Sequence, residues 1–407
     1  MPRSLFLGLG KSNTGLASVV PGDKQAFVEN ENHQVEVYHY EGDRFVLSHS
    51  LAGSFDTIDW SPYSCDQVFV SPGIDPRRPF MNILGGKEVR ELDYVATRFA
   101  GKMIAITGTD GKSTMTVQTG EVLRRAFSHL KIFVGGNLGT PMADVLKDSF
   151  DWAVLEVSSF QAERLRRAQI HYGILLNLAP DHLDRYDSIE NYYGAKWELI
   201  SRSQKAYFPR DVLRPDFIKR QSLCDFSNQD EISVILKQVV SSIMRDEGMP
   251  VSDELFQRLP RLPHRQEVWR DHRGAFFVND SKATTVHATA YALKHLGSRF
   301  SRLHWILGGR YKGDNFSDLL SGFRETDSIY VVGEAASVIQ GQLSQRGEVF
   351  DTLRTCLENV LSKIEPGEAL VLSPACSSYD EFDHFEQRGD FFLSEVRKRR
   401  GTLIRDG

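Results

Sequence analysis

The chain has 407 residues, 41% hydrophobic and 25% charged, which is enough for two or three domains with cores of their own and too balanced for wholesale disorder. Its 49 basic and 54 acidic residues leave a net charge of −5, which argues against a generic binder of nucleic acid or anionic membrane, so an anionic substrate must be held by local donors. Four scattered cysteines (Cys65, Cys224, Cys356, Cys376) with no zinc spacing read as reduced thiols of a cytoplasmic protein, and no apolar run nears the ~20 residues of a spanning helix.

Short apolar runs alternate with amphipathic stretches, the pattern of α/β layers. Ser4–Leu9 reads as a strand entering glycines at once, so no signal peptide is expected. Gly8-Leu9-Gly10 is half a dinucleotide fingerprint whose third glycine position is Asn13. A structural turn and a phosphate site fit it equally well. Val68-Phe69-Val70 runs into Ser71-Pro72-Gly73-Ile74, another strand end where α/β ligands gather, so Ser71 and Gly73 are candidate substrate contacts. A helical stretch over Glu88–Phe99 closes a first domain, 1–98.

The next strand, Met103–Thr107, precedes the sharpest signal: Gly108-Thr109-Asp110-Gly111-Lys112-Ser113-Thr114, opening a helix. Backbone N–H groups there can face a phosphate, with Lys112 reaching the β/γ-phosphates and the Ser113 hydroxyl on Mg²⁺. Gly108 is three residues before Gly111 where the usual loop has five, and a ligand-free glycine turn is the alternative. Gly135–Pro141, with Asn137, is too polar and glycine-rich for packing alone. Glu156 ends the strand Ala153–Val157, and Asn177-Leu178-Ala179-Pro180-Asp181-His182-Leu183-Asp184 ends Tyr172–Asn177. Singly, Glu156 is a salt-bridge partner or cap and His182 a loop histidine. Beside a phosphate loop they suit a hard cation. Lys196 by composition is a surface lysine.

Leu259–Pro263 reads as a linker, giving a central domain 99–260 and a last domain 261–407. The strands Ala275–Val278, Leu303–Leu307, Ser328–Val332 and Ala369–Leu372 follow. Three of them end in polar loops: Asn279–Thr284, Gly308–Gly313 and Ser373–Ser378, predicting a site for an anion or amino acid on that edge. Cys376 reads as a buried bystander, and Arg397–Arg400 as a solvated helix end.

Gly108–Thr114, Glu156-Val157-Ser158-Ser159-Phe160-Gln161, Asn177–Arg185, Leu262–Glu267, Asn279–Thr284, Leu372–Phe382 and Phe385-Glu386-Gln387-Arg388-Gly389 resemble the motifs of the Mur ligases of peptidoglycan synthesis, and among them the D-glutamate-adding members. The match spans the chain in order. The Asp-Asn-Pro-Arg motif of the diaminopimelate-adding members is absent. The resemblance implies an α/β protein of three domains: a Rossmann-like muramoyl-substrate domain, a central P-loop ATPase-like parallel sheet, and a Rossmann-like D-glutamate domain. It implies ATP-driven amide formation through an acyl phosphate, joining D-glutamate to UDP-N-acetylmuramoyl-L-alanine. Lys112 and Ser113 would hold the phosphates and a first Mg²⁺ with Glu156, while His182 and Lys196, the latter as an N6-carboxylated lysine, would serve a second Mg²⁺. Arg265, Asp280 and Asn228 (in Ser227–Glu231, where the family's His-Asn-x-x-Asn pattern falls) would contact ATP, Asn137 the muramoyl substrate, and Thr284, Lys312, Ser378 and Phe385 D-glutamate. A cytoplasmic monomer is expected, with no nucleic-acid or membrane partner. Two alternatives stand beside this reading: a folylpolyglutamate-synthase-like ligase, and a nucleotide-binding regulator without ligase activity.

Overall fold

Runs that are apolar on both faces fit only strands covered on both sides, and such runs form the centres of three sheets. The computed structural model describes residues 2–406 apart from 164, 184, 220, 298 and 314. The first two sheets lie in a unit made of Met1–Leu178 and Glu190–Pro260, the third in a unit of Ala179–Ile189 and Arg261–Gly407.

The first sheet contains β1 (Arg3–Leu7), β2 (Asp23–Glu29), β3 (Gln34–Glu41), β4 (Arg44–Ala52), β5 (Gln67–Val70) and β6 (Glu88–Val89), ordered β4-β3-β2-β1-β5-β6, with α1 (Lys11–Val19) and α2 (Glu91–Ala96). Its β2-β1-β5-β6 half is parallel, while β3 and β4 are added antiparallel. A search for apolar runs passes over these two strands because Gln34-Val35-Glu36-Val37 alternates, as a half-buried strand does. The Asn30 side chain closes the turn before β3, accepting from the Asn32 and Gln34 N–H groups at 3.1 Å each. The stretch expected to be helical from Glu88 starts instead as β6, because Glu88 and Val89 pair with Val68 and Phe69, and turns helical at Glu91.

The second sheet is wholly parallel: β7 (Lys102–Thr107), β8 (Ile132–Gly136), β9 (Trp152–Glu156), β10 (Ile170–Leu175) and β11 (Ser203–Tyr207), ordered β11-β10-β7-β9-β8. Around it lie α3 (Lys112–Ala126), α4 (Ser159–Ala162), α5 (Ile189–Ser201) and α6 (Ile232–Asp246). One buried cluster runs from Phe6 and Phe69 of the first sheet to Ala105 and Leu155 of the second, which is why two sheets make one unit.

The third sheet contains β12 (Glu267–Asp271), β13 (Phe276–Asn279), β14 (Leu303–Gly308), β15 (Ser328–Val332), β16 (Glu348–Phe350), β17 (Ala369–Leu372) and β18 (Leu403–Arg405). Its order is β16-β15-β14-β17-β13-β12-β18, with only the β12 pairings antiparallel. The helices are α7 (Val286–Leu296), α8 (Ala336–Gln342), α9 (Leu353–Val360) and α10 (Phe385–Arg400). Leu372 is in register with both Asn279 of β13 and Ile306 of β14, so the polar loops after these three strands leave one edge of the sheet.

Arg397–Arg400 does close α10, but the expectation of a solvated end fails at its last residue. Arg400 is buried: its Nε donates to Asp271 Oδ2 at 2.8 Å, and its Nη1 and Nη2 donate to Leu361 O (3.2 Å) and Ile364 O (3.0 Å). Burial works to raise the Asp271 carboxyl, but the Ala275 N–H and the Arg400 guanidinium hold it below the usual carboxylate range. Arg400→Ala should therefore lower unfolding free energy by about 3 kcal/mol at neutral pH, since it strands a buried carboxylate. In the native protein this stabilisation should be lost as pH falls through the depressed Asp271 pKa. Urea titrations of both proteins across that range measure it, and an Arg400→Ala protein as stable as the native one would contradict it.

Candidate active site

Two glycines in conformations that strain any side chain shape the phosphate loop. Gly108 has φ 152° and Gly111 φ 78°, both left-handed-side conformations, and a Cβ on Gly111 would lie 2.3 Å from Ile232 Cδ1. Gly111 caps α3 without a side-chain hydrogen bond, so the first N–H groups of the helix are not taken up by a cap. Asn177, just past β10, pins the loop: its Oδ1 accepts from Thr109 N–H (3.0 Å) and Asp110 N–H (2.9 Å), and its Nδ2 donates to Asp110 O (3.1 Å). Ser113 is buried in the first turn of α3, with Thr114 beside it half-buried.

Two ammonium groups converge on this loop. Lys112 Nζ donates to Gly108 O (3.0 Å) and Thr109 O (2.6 Å). Lys196, on α5 and only 1% exposed, donates to the same Gly108 O at 2.8 Å and sits 4.2 Å above the Tyr192 ring. The surface position that composition suggested for Lys196 is thus overturned. Tyr192 Oη is in turn 3.2 Å from Thr109 Oγ1. Glu156, 2% exposed at the end of β9, is in register with Ile106 of β7 and so stands level with the start of the loop. Its Oε1 accepts from Asn137 Nδ2 at 2.7 Å, so the structure brings these two expected site residues together.

At the other glycine loop, Asn13 is buried and its Nδ2 donates to Leu7 O (3.0 Å), Gly8 O (2.7 Å) and Phe69 O (3.3 Å), stapling the ends of β1 and β5. Asn13 thereby does structural work where a fingerprint glycine would stand. Ser71 packs on this loop, 3.0 Å from a Cβ placed on Gly8, and Gly73 is exposed. Asn228 uses its amide on the backbone of Leu178, accepting from its N–H (2.7 Å) and donating to its O (3.0 Å), which anchors the chain just beyond Asn177.

In the second unit Lys312 is tied to Asp181, with Nζ 2.6 Å from Oδ1 and both side chains 9% exposed. His182 follows with φ 55°, its Nε2 3.4 Å from Asp181 Oδ2; Asp184 lies outside the described residues. Asp280 accepts from Gln266 N–H (3.1 Å) and Ser373 Oγ (2.9 Å), which joins the loop after β13 to that after β17. Arg265 is half-buried beside His264, whose ring meets Phe385 edge-on at 6.1 Å. Lys282 Nζ stands 4.1 Å over that Phe385 ring. Thr284 is half-buried with its N–H donating to Lys282 O (2.8 Å), and Ser378 is buried with its carbonyl accepting from Glu381 and Phe382. Sequence reasoning assigned no role to Asp181, Asn177 or Arg388; each sits inside a quoted motif, but its partner is 67 or more residues away along the chain in the contacts of Asn177, Asp181 and the Arg388–Gly308 pair. Among the described residues no cluster of three or more His, Cys, Asp or Glu could hold a metal, and no helix is long and apolar enough to cross a membrane.

Residues 106–222 match the Mur ligase middle domain and 264–376 the Mur ligase, glutamate ligase domain. A UDP-N-acetylmuramoylalanine–D-glutamate ligase of Vibrio campbellii is 31% identical over 82% of this chain and 84% of its own. The fold is similar to that of UDP-N-acetylmuramate-alanine ligase MurC of Thermotoga maritima, with TM-score 0.58, 13% identity, 98% of this chain and 100% of that one. It is also similar to that of the MurF ligase of Thermotoga maritima solved with ADP, with TM-score 0.57, 15% identity, 83% of this chain and 90% of that one. The phosphate loop on the parallel sheet, the three polar strand ends of the last sheet and this kinship lead to one conclusion: the chain belongs to the Mur ligase family, on the branch of the UDP-N-acetylmuramoylalanine–D-glutamate ligases.

Proposed function

We propose that the enzyme joins D-glutamate to UDP-N-acetylmuramoyl-L-alanine at the expense of ATP. The observation that carries this reading is the meeting of Lys112 and Lys196 on the Gly108 carbonyl, in a loop that offers the N-terminus of α3 to a phosphate. The 31% identity to a ligase of that name favours it over the folylpolyglutamate alternative and over a regulator without chemistry. A carboxylate oxygen of the muramoyl-alanine substrate attacks the γ-phosphorus and ADP leaves. The amine of D-glutamate, having lost a proton, then attacks the acyl carbon, and phosphate leaves from the tetrahedral intermediate.

In this reading residues 1–98 hold the UDP-muramoyl group, 99–260 ATP, and 261–407 D-glutamate. Ser71, Gly73 and Asn137 contact the first substrate. Gly108–Thr114 cradle the phosphates, with Asn228, Arg265 and Asp280 as further ATP contacts. Thr284, Lys312, Ser378 and Phe385 take D-glutamate. With ATP and a UDP-linked sugar as substrates, the enzyme works in the cytoplasm, as a monomer.

Two oxygen donors at the loop fit Mg²⁺, a hard cation: the buried Ser113 hydroxyl and the buried Glu156 carboxylate, level with the loop, would hold one ion; by the family resemblance His182 and an N6-carboxylated Lys196 would serve a second. Bound Mg²⁺ would supply charge neutralisation on the transferring phosphoryl group. Carboxylation of Lys196 would put an anionic oxygen donor suited to Mg²⁺ where an ammonium now stands beside the loop.

Phosphate release assayed with each substrate omitted in turn should require ATP, UDP-N-acetylmuramoyl-L-alanine and D-glutamate together; steady release without D-glutamate would contradict the reading. Lys112→Ala should cost at least ~10³-fold in rate with the fold intact by circular dichroism, because it removes the cation that offsets the growing negative charge of the phosphoryl group. A loss below tenfold would remove Lys112 from the machinery.

Lys196→Ala should be nearly inactive and partly rescued by acetate, which can refill the anionic position, but not by ethylamine at equal ionic strength. Lys196→Arg should stay inactive, since it keeps the cation. Rescue by the amine would mean that Lys196 works as a cation. Lys312→Ala should raise the Michaelis constant for D-glutamate far more than that for ATP, and equal effects on all substrates would exclude a role in the amino-acid site.

A further inference from the structure

Lys312 alone is a poor receptor for a dicarboxylate. Its ammonium is already paired with Asp181 in a buried contact, so the charges of the two offset each other. The same strand ends are held by another buried cation that the mechanism has not used. Arg388, 3% exposed near the start of α10, donates from Nε to Ser281 Oγ (3.0 Å) and from Nη2 to Ser281 O (2.9 Å) and Cys376 O (3.0 Å), while Nη1 reaches Gly308 O (3.5 Å). These acceptors belong to the loop after β13, the loop after β17 and the end of β14. All four are neutral.

The acids nearest in charge, Asp380 and Glu381, accept elsewhere, from Glu334 N–H (3.2 Å) and Leu353 N–H (3.0 Å). Burial presses the guanidinium down to about 10, still cationic at neutral pH. A cation near a helix N-terminus also opposes the helix dipole, and a buried charge with only neutral hydrogen-bond partners is costly. The Ser281 hydroxyl that accepts from Arg388 donates onward to Phe385 O at 2.8 Å, linking the guanidinium to a residue of the proposed amino-acid site.

We infer that Arg388 is the positioning and specificity-determining charge of the amino-acid site: it locks the ends of β13, β14 and β17 together and supplies, without touching the substrate, the positive field that favours a dicarboxylate amino acid over its neutral side-chain amide. Among buried groups such a field acts over several ångströms; the carbonyls and hydroxyl bonded to Arg388 do not cancel it, and Asp380 and Glu381, which act on it only through space, offset it in part. This deepens the D-glutamate reading and rests on it.

The test compares kcat/KM for D-glutamate and for D-glutamine in the full-length enzyme, its Arg388→Gln variant and its Arg388→Lys variant, with the Michaelis constant for ATP as control. Arg388→Gln should reduce the preference for D-glutamate at least ~10-fold and leave the ATP constant within about threefold, while Arg388→Lys, which keeps the charge, should hold the preference within ~10-fold of native despite a lower rate. An unchanged preference in Arg388→Gln overturns the inference, as does a loss of more than ~10-fold in Arg388→Lys. If Arg388→Gln does not fold, the Arg388→Lys preference decides by the same limit. A native enzyme that does not use D-glutamate would instead sink the D-glutamate reading, a separate outcome.

Discussion

The carbonyl oxygen of Gly108 is the point on which the site is built. A single backbone acceptor receives the ammonium groups of Lys112 and Lys196, one from the helix that follows the loop and one from α5. Two cations held on one carbonyl favour negative charge, such as that of a phosphate, beside the loop. The rest of the second sheet serves to hold that carbonyl still. Asn177 fixes the loop's amides from the neighbouring strand, Gly111 admits Ile232 of α6 against the turn, and the parallel register brings Glu156 level with it. Phosphoryl transfer demands little covalent work from a protein and much fixed electrostatics, and this arrangement provides fixed electrostatics.

In the proposed reading the second unit meets a different demand, the recognition of a small, highly charged amino acid. Register sets the ends of β13, β14 and β17 on one edge, and side chains then join them: Asp280 to Ser373, Ser281 to Phe385, Arg388 to all three. Cations here are consumed by the protein itself or held away from direct contact. Lys312 is paired with Asp181 and Lys282 lies on the face of Phe385, while the buried Arg388 guanidinium has only neutral hydrogen-bond partners.

How legible this was in the sequence depended on the range of the interaction. Strands such as Ser328–Val332 and Ala369–Leu372 could be read because burial on both faces demands an unbroken apolar run. The strands β3 and β4 were not: β3 alternates, with Val35 and Val37 on its buried side, and β4 is exposed along most of its length, so neither shows the long apolar run of a strand covered on both faces. The phosphate loop was visible because glycine spacing is a local backbone requirement. The partners of its side chains were not: nothing near Lys196 in the chain says that it points at Gly108, 88 residues earlier, and nothing near Lys312 says that Asp181, 131 residues earlier, holds it. Composition likewise put Arg400 in water, whereas the carbonyls of Leu361 and Ile364 and the carboxylate of Asp271 draw it inside.

The claim at the centre is that the loop around Gly108 activates a carboxylate by phosphorylating it. Oxygen tracing tests this most directly. The enzyme would be turned over with ATP, D-glutamate and UDP-N-acetylmuramoyl-L-alanine carrying ¹⁸O in its alanyl carboxylate, and the released phosphate analysed by mass spectrometry. Acyl-phosphate formation transfers one carboxylate oxygen to phosphorus, so each phosphate formed should carry one ¹⁸O. Phosphate free of label, released in step with amide product, would show that the carboxylate never attacked phosphorus and would contradict the account.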